Sequence, residues 1–419
     1  MTTDNCYNGA FHDISLFSSS TSKESLAMRA QTSLVQFATS SHSTTACQDT
    51  TTTTSKCFDT FHPSILTPMA PDKPPGIIPT LIPPAWLPYA QLMRLDRPWG
   101  VLAFYVPYLA GLCMASCMSP TTISPSVLAK SSIMLLGWSV LNRGWQCAWN
   151  DNVDQEFDRQ VARCRSRPIA RGAVSTAQAH VFTASLYALS CAYLWYFTRT
   201  FSSSFATGTL GTATFISHEG MLSTHDQRRL LAFDVLIASV PALIYPLGKR
   251  FTNYPQLILG VLFSLAIPMA AHLVRVDPFA TTQRTSATLC ACGVNTLWTM
   301  TYDTIYAHQD VADDVQAGVR SMAVQFRDST KLLCAALSVG QVGLLVKAGW
   351  DMALGEWYFV VACAGTAVAL GAMVWLVDLK RPESCAWWFK MDFLFVGATV
   401  CGGWFAEYVV ARMAADREI

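Results

Sequence analysis

In "NDNVDQEFD", residues 150–158, Asp151, Asp154, Glu156 and Asp158 crowd together directly after an apolar run ending in "GWQCAW". A second group, Asp303, Asp310, Asp313 and Asp314, lies in "YDTIYAHQDVADDVQAGVRS". On a helix, Asn150, Asp154 and Asp158 are spaced i, i+4, i+8 and share a side; Asp310 and Asp314 do the same, with Asp303 close to that side. Carboxylates gathered in this way repel one another unless something positive sits between them. Hard divalent cations favour such oxygen ligands, and Mg²⁺ usually shares its shell with substrate phosphates. Arg163, Arg167, Lys249 and Arg250 follow the same kind of apolar run. Arg grips phosphate through a planar fork and Lys as a point charge. Acids and bases together suit a ligand with a diphosphate head and a hydrocarbon tail.

The elements that must position these groups are membrane helices. Of 419 residues, 52% are hydrophobic and 14% charged, against about 25% charged in a soluble domain. Runs long enough to cross a bilayer, about 20 residues each, fall at 99–118, 127–149, 177–197, 230–247, 256–275, 285–302, 331–349, 356–377 and 391–411. The expectation is therefore an all-α, multi-pass bundle of about nine helices. Both acidic groups follow even-numbered spans and so open on one face. The polar stretch 201–229 reads as a long surface connection.

Loops after even-numbered spans carry most of the Lys and Arg, including Arg159, Arg163, Arg165, Arg167 and Arg171 in one loop and Lys380, Arg381 and Lys390 in another. Such a bias marks the cytosolic side. The active face is thus expected toward the cytosol, with the endoplasmic reticulum favoured over the mitochondrial inner membrane as the site of residence. Residues 1–85 form a Ser/Thr-rich segment ending in "APDKPPGIIPTLIPPAW", which reads as a disordered tail with a Pro-rich linker. The membrane domain spans 86–411, and 412–419 is a C-terminal tail. The 14 Cys show no metal-ligand spacing, and the net charge of +1 gives no reason to expect a nucleic-acid partner.

Blander roles are assigned to other acids. Asp313 is expected to face solvent, and Glu156, Asp392 and Glu407 carry no chemistry on this reading. A Ca²⁺ loop is excluded, because the first cluster lacks the turn Gly and terminal Glu of an EF-hand. A cation-coupled transporter would place its acids near mid-span, whereas these sit at span ends.

At these residues the sequence resembles the UbiA family of membrane prenyltransferases. Asn150, Asp151, Asp154 and Asp158 match its NDxxDxxxD motif, and Asp303, Asp310 and Asp314 match its second Asp-rich segment. "RLDRP", "RPIARG" and "YPLGKR" are further matches. The resemblance covers about residues 88–411 and is nearest to fungal meroterpenoid prenyltransferases, which alkylate aromatic polyketides. The alternative within the family is a 4-hydroxybenzoate polyprenyltransferase of ubiquinone synthesis.

The resemblance implies Mg²⁺ held by Asn150, Asp151, Asp154, Asp158, Asp310 and Asp314. It further implies diphosphate bound by Arg94, Arg163, Arg167, Lys249 and Arg250. Tyr302 and Tyr306 are candidates for stabilising an allylic cation, and Asp303 for orienting the acceptor or taking its proton. The partners are then a prenyl diphosphate, with farnesyl the favoured chain, an aromatic small molecule and the lipid bilayer.

Overall fold

The computed structural model describes residues 82–119, 123–207, 220–415 and 417. The tail and the first part of the linker lie outside them. Among the described residues the protein is helical, and the one extended pairing is an isolated bridge between Met221 and Val276.

The long helices are α1 (Val101–Met118), α2 (Pro125–Val153), α3 (Thr176–Thr207) and α4 (Thr224–Phe251), followed by α5 (Pro255–Ser264) and α6 (Ala266–Leu273). Then come α7 (Thr282–Ala307), the short α8 (Val311–Ala317) and α9 (Thr330–Asp351). The chain ends with α10 (Gly365–Leu376), entered through a helical turn at Glu356–Tyr358 and a π-helical stretch, and α11 (Pro382–Ala415). Each expected span corresponds to a helical segment, with α5 and α6 together filling the fifth. Among the described residues, six segments are long and apolar enough to cross a membrane by length and composition alone. The other three, α2, α3 and α7, carry more polar residues.

Local chemistry sets the helix starts. Ser124 caps α2, accepting from Val127 N with Pro125 at the first helical position. Ser223 and Thr281 accept from Asp226 N and Arg284 N at the starts of α4 and α7. Such caps satisfy N–H groups that a helix leaves orphaned. Helix α8 stops at Gly318, whose φ of 71° is the left-handed conformation common at helix ends.

The core joins α1, α5, α6, α7, α9 and α11 through Phe104, Leu112, Met114, Phe263, Ile267, Trp298, Leu345 and Trp404. Helices α1 and α6 approach closely at Gly111, where a Cβ would stand 2.5 Å from the Ile267 carbonyl oxygen. Large apolar side chains such as Leu332, Val339, Val368 and Trp375 remain outward-facing, as lipid-exposed positions should.

The stretch 201–229 is not one long loop. Helix α3 continues to Thr207 and α4 begins at Thr224, so helical hydrogen bonding absorbs both ends of the polar run. Residues 208–219 lie outside the described residues.

Candidate active site

The C-terminal end of α2 carries the first acidic motif. The helix is interrupted at Asp154 and resumes as a single turn, Gln155–Asp158. The i→i+4 pattern nevertheless survives: Asp154 N donates to Asn150 O and Asp158 N to Asp154 O, both at 2.9 Å. The three residues therefore keep the shared side that their spacing implies. Asp151 and Asp154 are fully buried and Asp158 nearly so. The second motif is also divided. Asp303 is in the last turn of α7, Asp310 precedes α8, and Asp314 lies within it.

Each motif carboxylate that is paired meets a cation. Asp151 accepts from Arg94 at 2.5 Å and from Arg167 at 3.2 Å. Arg167 also bridges both oxygens of Asp158 at 2.8 Å. Asp154 takes Lys249, from the end of α4. Arg163, from the loop after the first motif, grips Asp310 with Nε at 2.9 and 3.1 Å and adds an Nη2 contact. Its Nη1 donates to Tyr306 at 3.2 Å, and its guanidinium lies over the Tyr306 ring.

The two motifs thus belong to one site. Lys249 lies within electrostatic reach of Asp158, Asp303 and Asp314 as well as Asp154. Asp313 adds a second link: its Oδ2 accepts from Ala162 N at 2.8 Å. It is therefore not merely solvent-facing, because its carboxylate latches the loop of the first motif onto α8. Asp303 is half-buried, with Lys249, Arg163 and Gln256 around it. Tyr302 is buried and turned into the bundle, whereas Tyr306 lines the mouth. Arg250 is placed differently from the other cations. It is exposed, donates to Val153 O at 2.8 Å and covers the Phe157 ring, so it steadies the end of α2 without meeting a motif carboxylate.

Carboxylates outnumber cations in this cluster, and the electrostatics register it. Burial pushes Asp158 up to about 6, opposed by Arg167 and reinforced by Asp151. Burial likewise pushes Asp314 up to about 6, with neighbouring Asp310 adding to the rise and Lys249 and Arg163 opposing it. Buried oxygens of Asn150 (Oδ1), Asp151 (Oδ2) and Asp154 (Oδ1) have no hydrogen-bond partner. Hard oxygen donors, an excess of negative charge and orphaned oxygens fit a hard divalent cation in donor type. Among the described residues the side chains are not gathered into a preformed metal cluster, because each paired carboxylate is turned onto Arg or Lys.

Sequence reasoning missed supporting residues. Arg143, buried within α2, donates to the carbonyls of Arg94 and Arg97 at 2.9 and 3.0 Å. Those bonds hold a turn in which Arg94 adopts a φ of 58°, unusual for a residue with a side chain. Gly100 leaves room for this guanidinium, since a Cβ there would meet Nη2 at 2.5 Å. The available signal was an ionisable residue within an apolar helix. Tyr245, one turn before Lys249, brings its ring to 6.0 Å from the ammonium; the i, i+4 spacing in "YPLGK" placed it there. Glu407 is also not bland: buried, it accepts from Gly355 N and Tyr358 N at 2.9 and 3.0 Å and caps the helical entry to α10. Asp392 is buried on α11 and accepts from Trp298 Nε1 at 2.5 Å.

The profile of the UbiA prenyltransferase family matches residues 104–217 and 220–397. The chain belongs to this family. It is therefore a prenyltransferase, as its two linked acidic motifs imply. Prenyltransferase ascA of Acremonium egyptiacum is 37% identical over 307 residues, 73% of this chain and 81% of the relative. Prenyltransferase stbC of Stachybotrys bisbyi is 34% identical over 79% of this chain and 90% of the relative. The DMOA farnesyltransferase nvfB of Aspergillus novofumigatus is 34% identical over 70% and 82%. In fold the chain is similar to a UbiA homologue from Aeropyrum pernix K1, with a TM-score of 0.52, 20% identity and coverage of 74% of this chain and 98% of that one. A homologue from Archaeoglobus fulgidus bound to DMAPP and Mg²⁺ gives a TM-score of 0.51 at 16% identity, over 77% and 99%. Membership of this family and the apolar helices establish an integral membrane enzyme.

Proposed function

We propose that the enzyme transfers a farnesyl group from its diphosphate to a ring carbon of a phenolic, polyketide-derived acceptor, with Mg²⁺ held by Asn150, Asp151, Asp154, Asp158, Asp310 and Asp314. The observation that carries this reading is the joining of both acidic motifs through Arg163 and Lys249. The farnesyl donor rests on the similarity to nvfB, and the metal on the donor set together with the DMAPP- and Mg²⁺-bound fold relative.

Bound Mg²⁺ supplies positive charge to the leaving diphosphate, which eases its departure. The remaining work falls to the chain. Asn150, Asp151, Asp154, Asp158, Asp310 and Asp314 would hold that ion, and Arg94, Arg163, Arg167 and Lys249, which pair with motif carboxylates here, would be the groups that bind phosphate oxygens. The allylic C–O bond then breaks, and the bonding pair leaves with the diphosphate. Preorganised cations aimed at this developing charge lower the barrier without reorganisation at the moment of reaction. Tyr302 and Tyr306 offer π faces to the carbocation, and the apolar bundle withholds water from it. The electron-rich ring attacks through carbon, and Asp303 takes the proton that restores aromaticity. Arg250 acts through the backbone of α2.

The Lys/Arg bias of the loops supports a cytosolic active face in the endoplasmic reticulum. Residues 86–411 form the catalytic domain, preceded by a tail and linker of no chemical role. The deciding assay supplies labelled farnesyl diphosphate, Mg²⁺ and a panel of phenolic acids to membranes containing the enzyme. Mass spectrometry should show a C-farnesylated phenol. Transfer to 4-hydroxybenzoate alone would instead assign the ubiquinone-type reaction.

A further inference from the structure

Asp392 is a buried carboxyl that the diphosphate chemistry leaves unused. It is 1% exposed on α11. Trp298 Nε1 holds its Oδ2 at 2.5 Å, while Oδ1 is buried without a partner. Trp298 packs edge-on against Tyr302 and Phe393, with centroids at 5.6 and 5.7 Å. Phe389 meets Tyr302 at 5.8 Å and Tyr306 at 4.3 Å, and Tyr306 touches Arg163. An aromatic wall therefore runs from the cationic mouth to the Asp392 carboxyl. The Tyr302 hydroxyl lies within electrostatic reach of Asp303 and Asp392 alike. Along α7, Trp298 is about 7.5 Å below Asp303, at about 1.5 Å per residue. Trp298 and Asn295, whose Nδ2 is buried and unpartnered, also line a separate cavity of about 20 Å³ that Asp392 does not border.

Two ligands must enter this bundle. Beyond its diphosphate, the prenyl chain is hydrocarbon and would leave the Asp392 oxygen unpaired, a lasting cost in a buried site. The acceptor ring carries hydroxyl donors. We propose that Asp392, fixed by Trp298, accepts a hydrogen bond from an acceptor hydroxyl through Oδ1 and so determines which phenols the enzyme prenylates. The aromatic wall sets the ring in place, and the reacting carbon points back toward Asp303. This proposal rests on the phenolic-acceptor reading above. A site built around a hydroxyl discriminates strongly against the analogue that lacks it, because the buried partner is then left unpaired.

The test uses the full-length enzyme in membranes at saturating farnesyl diphosphate. Its acceptors are a dihydroxybenzoic acid that the wild type prenylates and the two analogues lacking one hydroxyl each. The wild type should lose on the order of 10- to 100-fold in kcat/KM with one analogue, the cost of leaving a buried polar partner unpaired. Asp392→Leu should erase that discrimination. Asp392→Asn, which can still accept from Trp298, should raise the acceptor KM while the KM for farnesyl diphosphate moves by no more than about twofold. Discrimination that survives Asp392→Leu in inserted protein would overturn the proposal. So would an equal rise in both KM values, or a wild type indifferent to both analogues. If Asp392→Leu does not insert, an unchanged acceptor KM in Asp392→Asn decides against it. A wild type that prenylates no phenol refutes the phenolic-acceptor reading itself, which is a separable result.

Discussion

Lys249, at the end of α4, forms an ion pair with Asp154, at the end of α2, while also lying within reach of Asp303 and Asp314 from the second motif. One ammonium therefore faces both halves of the site. Removing it deletes a proposed phosphate ligand and leaves Asp154, which is fully buried, without a counter-charge.

Lys249→Ala should lower kcat by about 10²-fold, the range for losing one strong electrostatic stabiliser. Lys249→Arg should recover part of the loss, because the charge persists but its geometry changes. Steady-state kinetics on matched amounts of inserted protein would check both. An unchanged kcat in Lys249→Ala would remove Lys249 from the diphosphate site.

Turnover should require a divalent cation and weaken in acid. Burial raises Asp158 and Asp314 from an ordinary value of 3.8 to about 6. In the folded, metal-free protein both carboxyls therefore take up protons as pH falls through about 6. The direction for stability follows: the folded chain binds these protons more readily than the unfolded chain, so their contribution to stability declines as pH rises from 3.8 to about 6. Binding of metal must displace the protons. Activity should thus fall as pH drops through about 6, and the acid limb should move to lower pH as Mg²⁺ is raised. A pH–rate series at several Mg²⁺ concentrations, with chelator as the zero point, measures this. An acid limb indifferent to Mg²⁺ would separate the carboxyls from the metal.

Deletion of residues 1–80 should leave turnover intact. The segment carries no apolar period and no motif, and the helical start at Pro84–Trp86 remains in the shortened chain. The check is activity of the shortened enzyme per inserted molecule. A large loss would give the tail a role in the chemistry.

Much of the fold was legible because hydrocarbon imposes its own length on a helix. Runs of about 20 apolar residues mark the spans, and the i, i+4 pattern survived the break at Asp154 because the backbone bond from Asp154 N to Asn150 O was retained. Distances along the chain can show that Arg163 and Asp310 are both near helix ends, but not that they meet. Arg143 was harder to read, since its partners are carbonyls of Arg94 and Arg97, and carbonyls leave no signature in residue type. Asp392 was passed over for a similar reason: its partner is an indole N–H, and a Trp in an apolar helix reads as core.

The two acidic motifs should behave as a unit. Asp154 meets Lys249, Asp310 meets Arg163, and Arg163 itself springs from the loop that follows Asp154. If both carboxylates hold metal against one diphosphate, losing either already disables ionisation. Asp154→Ala and Asp310→Ala should then each cost about 10²-fold or more in turnover, and the double mutant should be only slightly worse than the poorer single. Independent sites would instead add their free-energy losses. Asp313→Ala supplies the internal comparison. Its carboxylate binds the Ala162 amide and no motif cation, so its removal should loosen the latch and cost less than either motif mutation. The measurement is turnover of these variants at saturating Mg²⁺ and farnesyl diphosphate, normalised to inserted protein. Additive losses in the double mutant would mean that the acids serve separate sites, and the shared reach of Lys249 would then have no catalytic meaning.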